Sequence, residues 1–425
     1  TGTGIADLMK GFETFLTPSY VNPDDQLSAV VFKVERGDQD EKIAYVRIYS
    51  GMLHTRSHVD VIRKNVKNDE PHTAKITALQ LFDKGKTVET QTASSGEIVK
   101  VFGLHDAFVG DWLGSQTKEI TQQFARPNLE TVVSLQNSTD KVKLFAALKR
   151  MSEQDPLLQI YQSEGGVISV RLYGEVQKEV IEATLHDEHG IHFAFEKTQV
   201  IYIERPTGIG KSFADKMDED NFFEATLGFT ISPGPLNSGI VFIPGPGRGG
   251  LPNAFIQAVE DTVRRTLEEG LYGWSVTDCI VEVTAAGYWD ATSTGGDFRG
   301  LTPLLLMEAL KKASTEVYEP LNAFELDFPE PLLGKILAIL SKVEARVTDT
   351  PISENAISRL RGLIPVRTTF DFERSIPNLT QGEGVFIAEF SGYQKVQGVI
   401  PTRPRTDNNP LNKEEYLRRT LRRAS

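Results

Sequence analysis

The chain has 425 residues, 40% hydrophobic and 24% charged, and its 46 Lys and Arg against 58 Asp and Glu leave a formal net charge of −12. That length exceeds one hydrophobic core and points to about three domains, give or take one; the acidic balance excludes a protein that coats nucleic acid nonspecifically, since phosphate neutralisation needs Lys and Arg. One cysteine, Cys279, excludes an internal disulfide and a cysteine-based metal cluster, and no apolar run approaches the roughly 20 residues that span a bilayer, so a soluble, cytoplasmic protein without a membrane partner is expected.

Residues 1–26 open with Ile5, Leu8, Met9, Phe12 and Leu16 on one side of a helix too small to fold alone, ended by Pro18 and Pro23. From 27 to 126 the runs SAVVFKVE, KIAYVRIYSG, HVDVIRK, KITALQLF and GEIVKVFG are punctuated by Gly37, Gly51, Gly85 and Gly96. Short strands at such spacing predict an antiparallel β-barrel. From 127 to 205 the pattern predicts a helix over Lys141–Gln154, strands over Leu157–Gln162 and Val167–Leu172, a helix over Val176–His186 and a strand over Ile191–Phe195. This alternation suits a compact α/β sandwich of the split βαβ kind.

Residues 206–320 carry a long helix, Ala254 to Glu269, with Phe255, Val259, Val263 and Leu267 on one face and a stop at Gly270. The β-branched Val276, Thr277, Ile280, Val281, Val283 and Thr284 predict a strand over Ser275–Thr284, and Pro303 is read as opening a helix striped by Leu306, Met307 and Leu310. Between them Gly287 to Gly296 is too polar and glycine-rich for a core. Its tip, Tyr288, Trp289, Asp290, Ala291, Thr292 and Ser293, sets two exposed aromatics side by side, suited to stacking on nucleobases at about 1 to 3 kcal/mol each. The competing reading folds one ring back as a cap on its own domain. Residues 321–400 repeat a strand-helix-strand-strand-helix-strand order, so the second and fourth units look like one fold used twice. In the last segment, 401–425, Arg418, Arg419, Arg422 and Arg423 recur on a short helix beginning near Lys413, either a solvated tail or a phosphate-binding surface.

Three features imitate other chemistry. Gly208-Ile209-Gly210-Lys211-Ser212 resembles the end of a P-loop, but Arg205 stands where the leading glycine belongs, and a linker is the better reading. Pro244-Gly245-Pro246-Gly247-Arg248-Gly249-Gly250-Leu251-Pro252-Asn253 leads into a helix, the basis for a rival assignment as a small-molecule kinase. Its two prolines lack the needed donors, and Gly247, Arg248, Gly249 and Gly250 read better as a second mobile probe. His186 and His189 lack a clear third ligand, so no metal site is assigned and the run LHDEHG is read as a polar turn. No catalytic residue is assigned.

The succession of units resembles elongation factor G, and the third unit is similar in wording to the tetracycline-resistance ribosomal protection proteins. The matches are GLYGWSVTDC (Gly270 to Cys279), the STxxDFRxLxP pattern on Ser293, Thr294, Asp297, Phe298, Arg299, Leu301 and Pro303, and Leu310 to Pro320. Ala44 to His54, Ser95 to Val99, Asp155 to Leu158 and Ile201 to Pro206 also match. The resemblance implies a multidomain α+β chain: a translation-factor β-barrel (domain II), two ferredoxin-like α/β sandwiches (domains III and V), and an S5-like domain IV with a left-handed βαβ crossover. It further implies a monomer whose partner is the bacterial ribosome, rRNA and proteins alike, and whose domain IV reaches the decoding centre and dislodges tetracycline. The alternative is an elongation factor G paralogue acting in translocation. At the tip, the best-studied members of that family have Tyr-Tyr-Ser-Pro-Val where this chain has Tyr288-Trp289-Asp290-Ala291-Thr292, which removes a rigid proline and adds a negative charge near rRNA phosphates. The family's GTPase domain, which uses GTP and Mg, is expected to lie before residue 1, with 1–26 the remnant of its last helix and linker. No cofactor and no enzymatic activity are therefore expected of these residues themselves.

Overall fold

Small and β-branched residues alternate with polar ones along the first quarter of the chain, and a period of two gives a sheet with one buried face. In the computed structural model the described residues are 4–16, 26–37, 39–63, 72–83, 85–115, 127–135, 140–155, 157–162, 166–245, 251–349, 352–354 and 356–422. They belong to two compact units, residues 1–126 with 139–160, and residues 127–138 with 161–425.

The first unit opens with α1 (Ile5–Phe15), whose apolar residues are exposed. There follow β1 (Ser28–Arg36), β2 (Lys42–Ser50), β3 (Met52–His54), β4 (His58–Ile62), β5 (His72–Lys75), β6 (Ala78–Asp83), β7 (Lys86–Thr90), β8 (Thr92–Ser94), β9 (Ile98–Phe102) and β10 (Trp112–Gly114). Eight of them form a sheet in the order β5-β4-β10-β1-β2-β9-β6-β7, and β3 pairs with β8. Val31 lies opposite Val46 and Ala29 opposite Ile48, which gathers them with Leu79, Val99 and Leu113 into one core. The single strand expected over KITALQLF is two. After Lys75 the chain turns at the fully buried Ile76, which exchanges backbone hydrogen bonds with Arg56 and Ser57 before β6 begins. Helix α2 (Lys141–Gln154) completes the unit, and its Glu153 accepts a 2.5 Å hydrogen bond from Arg36 on β1.

The second unit begins with β11 (Leu129–Leu135), absent from the sequence reading. It is nonetheless central, pairing antiparallel with β13 (Ile168–Leu172), β14 (Phe193–Phe195) and β15 (Gln199–Val200); β12 (Gln159–Gln162) is the far edge of this sheet. Helix α3 (Glu175–His189) runs past the expected end and stops at Gly190, whose φ of 61° only glycine adopts freely. LHDEHG is therefore the last turn of a helix, where His186 and His189 face the negative end of its dipole.

Next come β16 (Ile203–Pro206), β17 (Gly210–Ala214), β18 (Ala225–Pro233), β19 (Ile240–Ile243), α4 (Asn253–Thr266), β20 (Ser275–Val276), β21 (Cys279–Tyr288) and α5 (Gly295–Ala313). Strands β17, β18, β21 and β19 make a four-stranded sheet in that order, with β19 parallel to β21. Helices α4 and α5 cover it, and Phe229, Val263, Val281, Phe298, Leu306 and Leu310 lie within the shared core. The P-loop look-alike is not a linker but β17. A Cβ on Gly210 would lie 1.8 Å from the Ala309 carbonyl of α5, so the glycine is there to let strand and helix touch.

Two expectations for this region fail because a backbone signal overrides the hydrophobic pattern. The strand expected over Ser275–Thr284 breaks at Asp278, whose φ is 54°, and its halves join different sheets. Asp278 is held there by its ion pair with Arg205 at 2.7 Å. Helix α5 starts at Gly295 and carries Pro303 inside it, because Thr294 and Asp297 form a capping box that starts the helix two turns early. Which residues of β18 and β21 face the helices cannot be read from such local signals, since it depends on pairing across the sheet.

The chain closes with β22 (Thr315–Pro329), α6 (Leu333–Lys342), β23 (Arg346–Val347), β24 (Ile352–Glu354), β25 (Ile357–Pro365), α7 (Val366–Thr380), β26 (Val385–Lys395) and α8 (Lys413–Arg422). The 15-residue β22 is continuous through the expected boundary at 320/321. Its first part pairs with β16, its second with β25, and β26 runs along it, so one sheet links the segment around residue 204 to the last α/β unit.

Candidate nucleic-acid interface

Strand register decides what lies at the end of the four-stranded sheet. Ala225 at the start of β18 is opposite Tyr288 at the end of β21, and Ala214 at the end of β17 is opposite Leu227. Strand β19 runs parallel to β21. Three connections therefore leave from one end: 215–224, the segment after Ile243, and 289–294. Of the second, Gly247, Arg248, Gly249 and Gly250 lie outside the described residues. Its base, Gly245, sits at φ 81° where a Cβ would come within 2.3 Å of the Val283 carbonyl, so the loop departs hard against β21.

The loop 289–294 is a built turn. The Trp289 amide donates to Ser293 Oγ at 2.7 Å, Ser293 N donates to the Trp289 carbonyl at 3.0 Å, and the Ser293 hydroxyl donates to the Glu224 carbonyl on the neighbouring connection. Trp289 is 45% exposed, and Asp290, Ala291 and Thr292 are exposed with it. Tyr288 differs from expectation. It is half-buried, with its ring edge-to-face against Phe255 of α4 at 5.7 Å, because it is the last residue of β21 and its side chain falls on the helix-covered face. One aromatic thus caps the domain while its neighbour faces solvent. The Tyr288 hydroxyl is hydrogen-bonded to Asp290, and this, with the carboxylate's charge, raises the phenol above its usual pKa.

Sequence reasoning missed the third member of the tip, Lys216. Its ammonium lies 3.7 Å from the centroid of the Trp289 ring and donates to the Tyr288 carbonyl at 2.9 Å. Its amide is held at 3.0 Å by the hydroxyl of Thr226 on β18. No motif marks it: Lys216 is one cation in DKMDEDNFFE, among five acids, and only the pairing of β18 with β21 brings it to Trp289.

The base of the domain is fastened by Glu204 on β16. Its fully buried carboxylate accepts the amides of Leu271, Tyr272 and Trp274 at 2.8, 2.8 and 3.1 Å and the Thr315 hydroxyl at 2.7 Å. Burial raises its pKa, and these four donors pull the other way by favouring the ionised form. Residues 401–409 then cross the same loop. Trp274 Nε1 donates to the Pro401 carbonyl at 2.7 Å, and Arg405 donates to the Gly270 carbonyl at 2.6 Å.

The C-terminal basic helix is docked, not free. In α8 the buried Tyr416 joins the core of the four-stranded domain, Leu417 packs against it, and Lys413 pairs with Asp220 at 2.9 Å. Arg418 is exposed, Arg419 pairs with Glu415 at 2.6 Å, Arg422 ends the described chain, and Arg423 lies outside it. The docking face carries Tyr416 and Leu417, and Arg418 and Arg419 lie off it, so the helix packs on the domain while these two arginines stay exposed. Among the described residues no group of three metal-ligating side chains occurs and no helix is long and apolar enough to cross a membrane.

The sequence matches known proteins. A family model described as elongation factor G, domain IV, matches residues 198–314, one for the elongation factor G C-terminus matches 316–404, and one for elongation factor Tu domain 2 matches 41–114. The oxytetracycline resistance protein of Streptomyces rimosus is 39% identical over 100% of this chain. The chain is similar to elongation factor G and to tetracycline-resistance proteins. Other relatives are the tetracycline resistance protein TetP of Clostridium perfringens, 35% identical over 98% of the chain, and TetM of Streptomyces lividans, 34% identical over 91%. The chain spans 65%, 63% and 60% of the length of these three relatives. The tip with Lys216 and Trp289 and the Glu204 anchor both fall within the segment matched to domain IV.

Proposed function

We propose that these residues form the ribosome-binding part of a ribosomal protection factor that displaces tetracycline from the small-subunit decoding region. In this reading residues 27–126 are the domain II barrel, 127–205 and 321–400 are ferredoxin-like domains III and V, and 206–320 are the S5-like domain IV with its left-handed crossover. The docked helix in 401–425 extends the domain IV surface. The protein works in the cytoplasm as a monomer. GTP hydrolysis with Mg belongs to a different part of the protein, and the residues described here act by contact.

The observation that carries the reading is Trp289. It is an aromatic ring 45% exposed at the end of a sheet, on a turn fixed by Ser293. Such a ring stacks on an unpaired base whatever the base's identity. The test is release of labelled tetracycline from bacterial ribosomes by the protein and by its Trp289→Ala variant. Release that depends on Trp289 supports the proposal. Ribosome binding with no release, together with an unchanged drug threshold when the whole gene is expressed in a sensitive strain, would instead assign the protein to translocation.

A further inference from the structure

The tip lacks a proline, and its aromatic stands in an acidic neighbourhood: Asp215, Asp218, Glu219, Asp220 and Glu224 on one connection, Asp290 beside it. An exposed indole there would swing between rotamers, and an RNA phosphate would meet only negative charge. Lys216 answers both problems from one position. Its backbone is tied to Thr226 on a paired strand, so its stem starts from a rigid point. Its ammonium then reaches the Trp289 ring and the Tyr288 carbonyl together.

We propose that Lys216 is the positioning residue of the probe: its ammonium clamps one face of the Trp289 indole and leaves the other as the face that meets RNA. The clamp is a property of the free protein, and only its use on the ribosome rests on the function proposed above. A cation over one ring face also restricts stacking to one base, on the opposite side. The Tyr288 carbonyl holds the ammonium when the indole moves, so the seat survives each excursion.

The test compares the wild-type chain with Lys216→Met, which keeps the stem and loses the charge, and Lys216→Arg, which keeps the charge. Trp112 and Trp274 are 3% and 4% exposed, so acrylamide quenching of fluorescence reads Trp289. Lys216→Met is expected to free the indole about 2- to 5-fold more often, the range of an exposed cation–π contact, seen as stronger quenching and lower anisotropy. Lys216→Arg restores both. In tetracycline release, Lys216→Met shifts the half-maximal protein concentration upward by a similar factor and Lys216→Arg does not. Unchanged quenching and anisotropy in Lys216→Met overturn the clamp. A loosened indole with normal release, while Trp289→Ala abolishes release, overturns its positioning role. If Trp289→Ala releases drug normally, the proposed function falls, and the quenching result alone decides the clamp.

Discussion

The hydroxyl of Tyr416 on α8 donates to the carbonyl of Gly300 on α5 at 2.9 Å, inside the core of the four-stranded domain. A Cβ on Gly300 would lie 2.2 Å from the Phe223 ring, so glycine is what lets the helix lie this close to its neighbours. The last described helix is thereby part of that domain's core and not an appendage. Tyr416→Phe loses one hydrogen bond and is expected to cost about 0.5 to 1.5 kcal/mol; Tyr416→Ala also leaves a cavity and is expected to cost about 3 to 5 kcal/mol. Hydrogen exchange over residues 413–422 checks this. Protection that persists in Tyr416→Ala would show that other contacts hold the helix.

The two tip aromatics separate in stability measurements. Trp289→Ala should leave stability within about 0.5 kcal/mol, as for an exposed side chain, whereas Tyr288→Ala gives up its contact with Phe255 and should cost about 1 to 2 kcal/mol. Urea melts of the single variants decide it, and equal costs would contradict the different burial of the two rings.

Gly210→Ala drives a methyl into the Ala309 carbonyl and should destabilise by at least about 1 to 3 kcal/mol. Lys211→Ala, at an exposed position next to it, should be nearly silent. Thermal melts of the pair distinguish a close-packed strand from a phosphate loop, for which Lys211 would be the sensitive residue.

Burial, with the adjacent Asp278 carboxylate, pushes the Cys279 thiol up to about 12 from 9.0. A group with a raised folded pKa contributes stability that is fully present below its unfolded pKa and lost as pH rises through the folded one. Stability should therefore fall between about pH 9 and 12, and Cys279→Ala should flatten that part of the profile. At pH 8 a disulfide reagent should label Cys279 only as fast as the domain opens. Labelling at the rate of a free thiol would place the residue at the surface.

Arg418 is exposed on the outward side of a docked helix. If α8 meets rRNA, Arg418→Gln should lower the slope of log affinity against log salt by about 0.7 to 0.9, one phosphate's worth. Ribosome binding measured across a salt series gives this slope, and an unaltered value would assign Arg418 to solvent.

Local chemistry alone made much of this protein legible. Periodicity marked α2 to the residue, because Lys141–Gln154 is amphipathic over its whole length, and the aromatic pair between strand and helix marked the tip. Where an expected strand was broken or missed, the deciding contact lay far away in sequence. Asp278 breaks a well-patterned strand because Arg205 holds it, and β11 was invisible because a central strand is defined by the neighbours it pairs with. Lys216 reaches Trp289 only through the β18–β21 register, which sets which side chains meet across a sheet. The sequence by itself determined the kinds of element, the family resemblance and the aromatic tip, since each is written in residues close together. Only the tertiary structure decided that Tyr288 turns inward while Trp289 stays out, that a lysine backs the indole, and that the basic helix is docked, because each depends on packing between segments that the chain order keeps apart.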